Sequence, residues 1–350
     1  MGEDLKESSP VAPQLESARR IPRIAIYPEV NQDGIGSYIQ GIKGLLGVAT
    51  IPYSGNILSP GQFFHKLPQG FDLIHIPHSL VPFSRRRVKI VCTIQDIIPV
   101  VAHGHLGYFK EKYLRFRIAW SLRKADHLIF TSQSTLNDVR RVFGAIGSFS
   151  VIPLAMEPPL PTDGIPESMY PFPYYFCVGR RRGHKNVEGI LRAFAKVASH
   201  TQSHLIFGGK EDIHDTQWKV LAERLGIAAR IHFTGFLSKE QLAGHYRHAV
   251  CLVFPSLYEG FGLPILEAMS YGCPVITSDM SSMPEVAGGA ALLVDPRDVD
   301  AIVLAMTRLA EDLNLRSVLK AKGFENCRRF SWEKTARETA AVYQKTLNTA

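Results

Sequence analysis

The sequence predicts an α/β protein built from two Rossmann-like domains. Three observations lead there. The chain has 350 residues, more than one hydrophobic core usually covers. From residue 174 to 276, apolar runs of strand length alternate with helix-period segments over short connections, as in a parallel sheet covered on both faces. Between that half and the first lies 157–173, with six prolines and little periodicity, which reads as an interdomain linker. The expected organisation is a disordered leader over 1–20, a first domain over 21–156, the linker, a second domain over 174–330, and a terminal helix over 331–350.

Composition narrows the class. With 45% hydrophobic and 21% charged residues the chain is neither disordered nor fibrous. No apolar run reaches the roughly 18 residues a membrane-spanning helix needs. The first twenty residues are polar and lack the apolar core of a signal peptide. Five scattered cysteines without a C-x-x-C pair fit buried thiols in a reducing cytoplasm. The charge is lopsided. Residues 1–150 carry 18 Lys+Arg against 11 Asp+Glu, whereas 151–350 carry 22 against 21, so nearly all of the +8 lies in the first half. Such asymmetry often marks an anionic partner.

In chain order, Ile21–Ile26 reads as the first strand, and Asn31–Ser37 as a glycine loop into a helix from Tyr38 to Leu46. Gly34 and Gly36 suit either a phosphate loop or a tight turn. A dinucleotide fold is excluded, because the G-x-G-x-x-G spacing and an acid ending the second strand are both missing. Phe71–His78 and Val88–Ile94 read as strands, the latter leading into Gln95-Asp96-Ile97-Ile98-Pro99. His78, Asp96 and His103 are polar candidates near that turn. Phe109–Ala125 is a helical stretch in which Lys110, Lys112, Arg115, Arg117, Arg123 and Lys124 interleave with Tyr113, Phe116 and Trp120. With Arg85–Arg87 and Lys89 it forms a basic half suited to an anionic membrane, to a diphosphate-bearing lipid, or to solvent alone. No motif supports nucleic acid. Ala125–Ser132 is a strand, Ser134 a candidate cap for the helix Thr135–Val142, and Val151–Pro153 the last strand of this half.

In the second half, Arg180, Lys185, Gly208, Gly209, Gly235 and Glu259 all follow strand ends, where ligands of parallel sheets bind. Ser238 with Gln241, and Ser282 with Glu285, have capping-box spacing. The central stretch is Phe254–Thr277: strand, glycine-rich loop, then a helix opened by Pro264. The loop can aim backbone N–H groups at an anion. Glu259 and Glu267 bracket it. One carboxylate can hold sugar hydroxyls and the other a ribose, or both are surface glutamates on a capped helix.

The segment from Tyr174 to about Pro296 resembles the C-terminal half of the retaining glycosyltransferases of family 4, which have the GT-B fold. The family's Glu-x7-Glu motif reads here as Glu259 to Glu267. Further matches are Val178-Gly179-Arg180 with His184-Lys185-Asn186, Phe233-Thr234-Gly235-Phe236, and Met283–Gly288 followed by Leu292–Pro296. The resemblance implies a cleft between the domains and a C-terminal helix crossing back to the first. It implies sugar transfer from a nucleotide sugar, GDP- or UDP-linked with a lean toward GDP-mannose, to a glycan or lipid-linked acceptor, as in bacterial mannosyltransferases of surface-glycan synthesis. Glu259, Lys185, Arg180 and Asp96 carry the chemistry in this reading. Gly34, Gly36, Gln95, Gly179, Gly208, Gly209, Gly235, Gly260, Phe261, Gly262, Leu263 and Glu267 hold the donor. Gln95 stands where the family usually has a histidine, which puts a titrating base there in doubt. No cofactor or metal is expected, and the enzyme is expected in the cytoplasm or peripherally on the inner face of the membrane. The rival readings are a GT-B sugar-nucleotide 2-epimerase and a non-catalytic sugar-nucleotide-binding subunit.

Overall fold

The computed structural model describes residues 22–29, 33–53, 55, 59–83, 88–101, 107–161, 165, 170–213 and 215–349, with 33 and 34 as backbone only. The 1–20 leader, Arg85–Arg87 and His103 therefore lie outside the described residues. The first domain runs β1 (Ile24–Glu29), α1 (Asp33–Leu46), β2 (Ala49–Pro52), α2 (Pro60–Phe63), β3 (Leu73–Ile76), β4 (Lys89–Ile94), α3 (Ile98–Val101), α4 (Tyr108–Lys124), β5 (His127–Phe130), α5 (Gln133–Phe143) and β6 (Phe149–Val151). The second runs β7 (Tyr174–Val178), α6 (Val187–Ala198), β8 (His204–Gly208), α7 (Asp215–Arg224), β9 (Ile231–Gly235), α8 (Lys239–His248), β10 (Cys251–Phe254), α9 (Leu263–Ser270), β11 (Val275–Ser278), α10 (Met283–Ala287), β12 (Leu292–Val294), α11 (Val299–Glu311), α12 (Leu313–Cys327) and α13 (Trp332–Asn348).

Among the described residues each domain holds a six-stranded sheet, in orders β2-β1-β3-β4-β5-β6 and β12-β11-β10-β7-β8-β9. All the pairings are parallel. Helices cover both faces, so β3, β5, β10 and β11 are buried along their length. That explains why these strands read as continuous apolar runs rather than alternating ones. In the second sheet β7 has β8 on one side and β10 on the other, so the chain direction of the winding reverses there. The crevice beyond the carboxyl ends of β7 and β10 is the topological switch point, where open α/β sheets take their ligands.

Helix α13 belongs to the first domain's core. Val342 and Tyr343 cluster with Leu73, Val91, Ile129 and Ile152. His75 sits between Tyr343 Oη at 2.6 Å and Thr93 Oγ1 at 2.7 Å, fully buried. Burial, then the neighbouring His78, push its pKa down to about 3, so the ring is neutral and one nitrogen donates while the other accepts. Trp332 packs so closely on α1 that a β-carbon on Gly41 would lie 2.2 Å from the indole. Only glycine fits under the crossing helix.

Several expectations are corrected. Helix α1 begins at Asp33, not Tyr38, so Gly34 and Gly36 sit in its first turn rather than in a loop. The cap of α5 is Ser132, whose Oγ accepts the Thr135 N–H at 3.1 Å, not Ser134. The capping box of Ser238 with Gln241 forms, but Ser282 makes no side-chain cap for α10. Arg117 is no surface cation either. It is buried, donating to Tyr113 Oη at 2.6 Å and Gln62 Oε1 at 2.7 Å.

Candidate active site

The site is built on the loop from Pro255 to Gly262, between β10 and α9. Glu259 is 9% exposed. Its Oε1 accepts from Lys185 Nζ at 2.6 Å, with both side chains mostly removed from solvent. The ammonium also lies 4.6 Å from the centroid of the Phe254 ring. Lys185 comes from the helical turn Gly183–Lys185 that follows β7. Two contacts lace that turn to the neighbouring loop: Leu257 N–H donates to His184 O at 2.7 Å, and Asn186 Nδ2 donates to Pro255 O at 3.2 Å. Asn186 also reaches Pro296 O at 2.5 Å, and its backbone is left-handed at φ 55°. Asparagine tolerates that conformation better than other non-glycine residues.

Glu267 lies one turn into α9. Burial raises its pKa, against the hydrogen bond donated by Tyr246 Oη at 2.8 Å. With Leu263, Tyr246, Ser37, Glu157 and Lys239 it lines an interdomain cavity of ≈ 200 Å³. That volume is smaller than the roughly 300–1,000 Å³ usual for small-molecule sites. Ser37 brings the first turn of α1 to the wall, so the segment holding Gly34 and Gly36 reaches the cleft from the first domain. Glu259 lies outside that lining.

Asp96 approaches from the first domain. Its Oδ1 accepts the Ile98 N–H at 3.0 Å, at the start of α3. Burial raises its pKa, with a further push from the Glu259 charge and opposition from the Ile98 bond and Lys185. The structure thus brings Asp96, Glu259 and Lys185 within electrostatic reach of one another. Gln95 donates through Nε2 to Pro77 O at 3.2 Å, while its carbonyl accepts from Thr131 Oγ1 at 3.0 Å. The two domains meet at Gly260, where an added β-carbon would lie 2.3 Å from Gln95 O and 2.6 Å from Asp96 Cβ.

The other glycines serve the ends of the strands. Gly179 N–H donates to Gly208 O at 3.0 Å and Gly209 N–H to Gly235 O at 2.9 Å, which ties the ends of β7, β8 and β9 in a row. Those two amides are committed to the protein. In the cationic loop, exposed Arg180 lines a second, smaller cavity together with Lys185 and Gly179. Arg181 is structural: buried, it grips Asp215 through Nε at 2.5 Å and Nη2 at 2.7 Å. Burial alone would raise the Asp215 pKa, but the Arg181 bonds outweigh it and the net shift is downward.

Sequence reasoning missed the residues that shape the loop. Ser281 Oγ donates to Glu259 O at 2.6 Å and accepts its N–H at 3.3 Å. Ser282 Oγ donates to Glu259 O at 2.9 Å and Phe261 O at 2.8 Å. Tyr246 orients Glu267. No local spacing links these serines to a loop some twenty residues earlier. The nearest signal was the Met283–Gly288 motif directly after them.

The model of glycosyl transferases group 1 matches residues 170–326, and that of glycosyltransferase family 4 matches 52–158. An O-antigen chain mannosyltransferase B of Escherichia coli is 31% identical over 283 residues, covering 78% of this chain and 74% of that protein. The serotype-specific mannosyltransferase WbdA of E. coli is 30% identical over 284 residues, covering 75% of this chain but only 34% of that longer protein. Among solved structures, HepE of Anabaena, in complex with UDP and glucose, superposes with a TM-score of 0.70 at 16% identity, covering 93% of this chain and 100% of that one. At that identity the likeness speaks for the fold.

Proposed function

The chain belongs to the family 4 glycosyltransferases of GT-B fold, and from that premise we propose that it moves mannose from GDP-mannose to a glycan or lipid-linked acceptor, with retention at the anomeric carbon. The observation that carries the transfer chemistry is the Lys185–Glu259 pair at the switch point of the second sheet. The choice of mannose rests on the O-antigen mannosyltransferases among the relatives.

In this reading the bond between the anomeric carbon and the β-phosphate oxygen breaks as the acceptor hydroxyl attacks from the same face. The departing phosphate oxygen takes the acceptor's proton. The protein's part is electrostatic. Lys185 and Arg180 stabilise the charge growing on the diphosphate, together with the N–H groups of the loop from Gly260 to Leu263. Glu259 positions the sugar hydroxyls, and Glu267, oriented by Tyr246, holds the ribose. Asp96 supplies the first domain's polar edge near the sugar. No metal ion enters the scheme. The test is thermal stabilisation by a panel of GDP-, UDP-, ADP- and dTDP-sugars, followed by transfer assays with and without EDTA. GDP-mannose should raise the melting temperature most, by several degrees at about 100 times its Kd. An equal response to every base sinks the donor assignment, and activity lost in EDTA and restored by a divalent ion sinks metal independence.

The first domain also carries a face suited to an anionic membrane, which would put a cytoplasmic enzyme beside a lipid-linked acceptor. Phe109 is 86% and Phe64 72% exposed. Phe63 touches Phe64 and Phe116, and Phe83 touches Trp120, so α2, α4 and the segment before 84 share one aromatic surface. Lys112 lies over Tyr108 and Lys124 over Trp120. Aromatic rings at headgroup depth with cations beside them are the chemistry of interfacial binding. Among the described residues no helix is long and apolar enough to cross a bilayer. Vesicles containing phosphatidylglycerol should retain the protein and phosphatidylcholine vesicles should not, and Phe64→Ser with Phe109→Ser should weaken retention about tenfold or more. Equal binding to both vesicles rejects the assignment.

A further inference from the structure

Glu285 lies in α10 of the second domain, yet its carboxylate faces the first. Both oxygens accept the Gln133 N–H at 3.0 Å, and one accepts the Ser134 N–H at 3.4 Å. These amides open α5, where a helix leaves its first donors unsatisfied. Ser132 caps the same helix from its own chain segment through the Thr135 N–H. Glu285, 152 residues from Gln133, therefore completes a cap that sequence neighbours only begin. A carboxylate there gains charge-assisted hydrogen bonds and a favourable helix dipole.

The same helix grips the site loop. Ser132 Oγ and Thr135 Oγ1 donate to Gly260 O at 2.8 and 3.2 Å. One helical turn on, Asp138 Oδ2 accepts from Tyr258 Oη at 2.8 Å. Residues 258 and 260 are thus both bonded to the opposite domain, and Glu259 is the residue between them. Ser281 and Ser282, just before α10, hold the Glu259 backbone from within its own domain.

We propose that α5 and Glu285 form an interdomain latch that positions Glu259, with Glu285 fastening the helix while Ser132, Thr135 and Asp138 hold the loop on either side of the carboxylate. Glu285 acts through α5 and is a positioning residue, not a catalytic one. Only the kinetic part of its test rests on the transferase reading.

The test is Glu285→Ala in the full chain, read by backbone amide exchange and by kcat and KM for the nucleotide sugar. Exchange at Gln133 and Ser134 should speed up about tenfold, as lost hydrogen bonds free those amides. Turnover should fall about tenfold, and Glu285→Gln, which keeps an acceptor oxygen, should recover most of it. Tyr258→Phe removes one hydroxyl of the same contact set; it should lower kcat in the same direction, and it carries the test alone if Glu285→Ala does not fold. Wild-type exchange at the two amides overturns the latch. Faster exchange with unchanged kcat overturns the positioning of Glu259. If the wild-type protein turns over no nucleotide sugar, the transferase reading fails, and exchange with small-angle scattering of the domain separation still decides the latch.

Discussion

Glu259→Gln is expected to lower kcat/KM by about 10²- to 10³-fold, the scale of losing one preorganised electrostatic contact at a reacting centre. The side chain is nearly buried, its carboxylate sits 2.6 Å from Lys185, and its backbone is fixed by two serines. The amide is isosteric and can still accept a hydrogen bond from the ammonium, so the fold should survive. What changes is charge. Without the carboxylate, Lys185 is held less firmly and the sugar hydroxyls lose a strong acceptor. Steady-state kinetics with the preferred nucleotide sugar, alongside circular dichroism to confirm folding, reads the effect. Turnover that survives unchanged would remove Glu259 from the chemistry.

Gly260→Ala should be nearly as damaging for a different reason. Its β-carbon would lie 2.3 Å from a backbone oxygen and 2.6 Å from Asp96 Cβ, in the opposite domain. Backbone cannot swing aside as a flexible side chain can, so the domains must part. Overpacking of this kind costs about 1–3 kcal/mol. A displacement of about 1 Å between catalytic groups can by itself cost on the order of 100-fold in rate. We expect lost transfer, a larger domain separation by small-angle scattering, and intact secondary structure within each domain. Wild-type activity in this variant would mean that the closed arrangement is not the one that works.

Much of this organisation was legible in the chain. Strands buried on both faces must be continuously apolar, and helices between them must show the 3.6 period, so the alternation in the second half located its elements closely. Helix α6, Val187–Ala198, lies inside the alternating stretch of 174–276. Capping chemistry is local, so Ser238 with Gln241 announced its helix directly. The Glu259–Glu267 spacing on strand, loop and helix was equally local, because one short segment carries both carboxylates.

What failed was whatever depends on groups distant in sequence. The Ser282–Glu285 spacing suggests a local box, but the hydroxyl goes to the Glu259 loop and the carboxylate crosses to α5. Arg117 read as one cation among those of the helical stretch over 109–125, because charge in a sequence carries no burial. A tyrosine and a glutamine take it inside the fold. Gly260 read as part of a loop that aims N–H groups at an anion; the opposing backbone makes glycine the one residue type that allows closure there.

Two α/β domains and the segment that bears the acidic pair follow from local order in the chain, because propensity, periodicity and capping act over a few residues. Which cation faces Glu259, which hydroxyls hold its loop, and how the first domain clamps the second are settled by folding. Those outcomes depend on burial and on contacts made when two separately wound sheets meet, and no window of the chain contains both sides of such a contact.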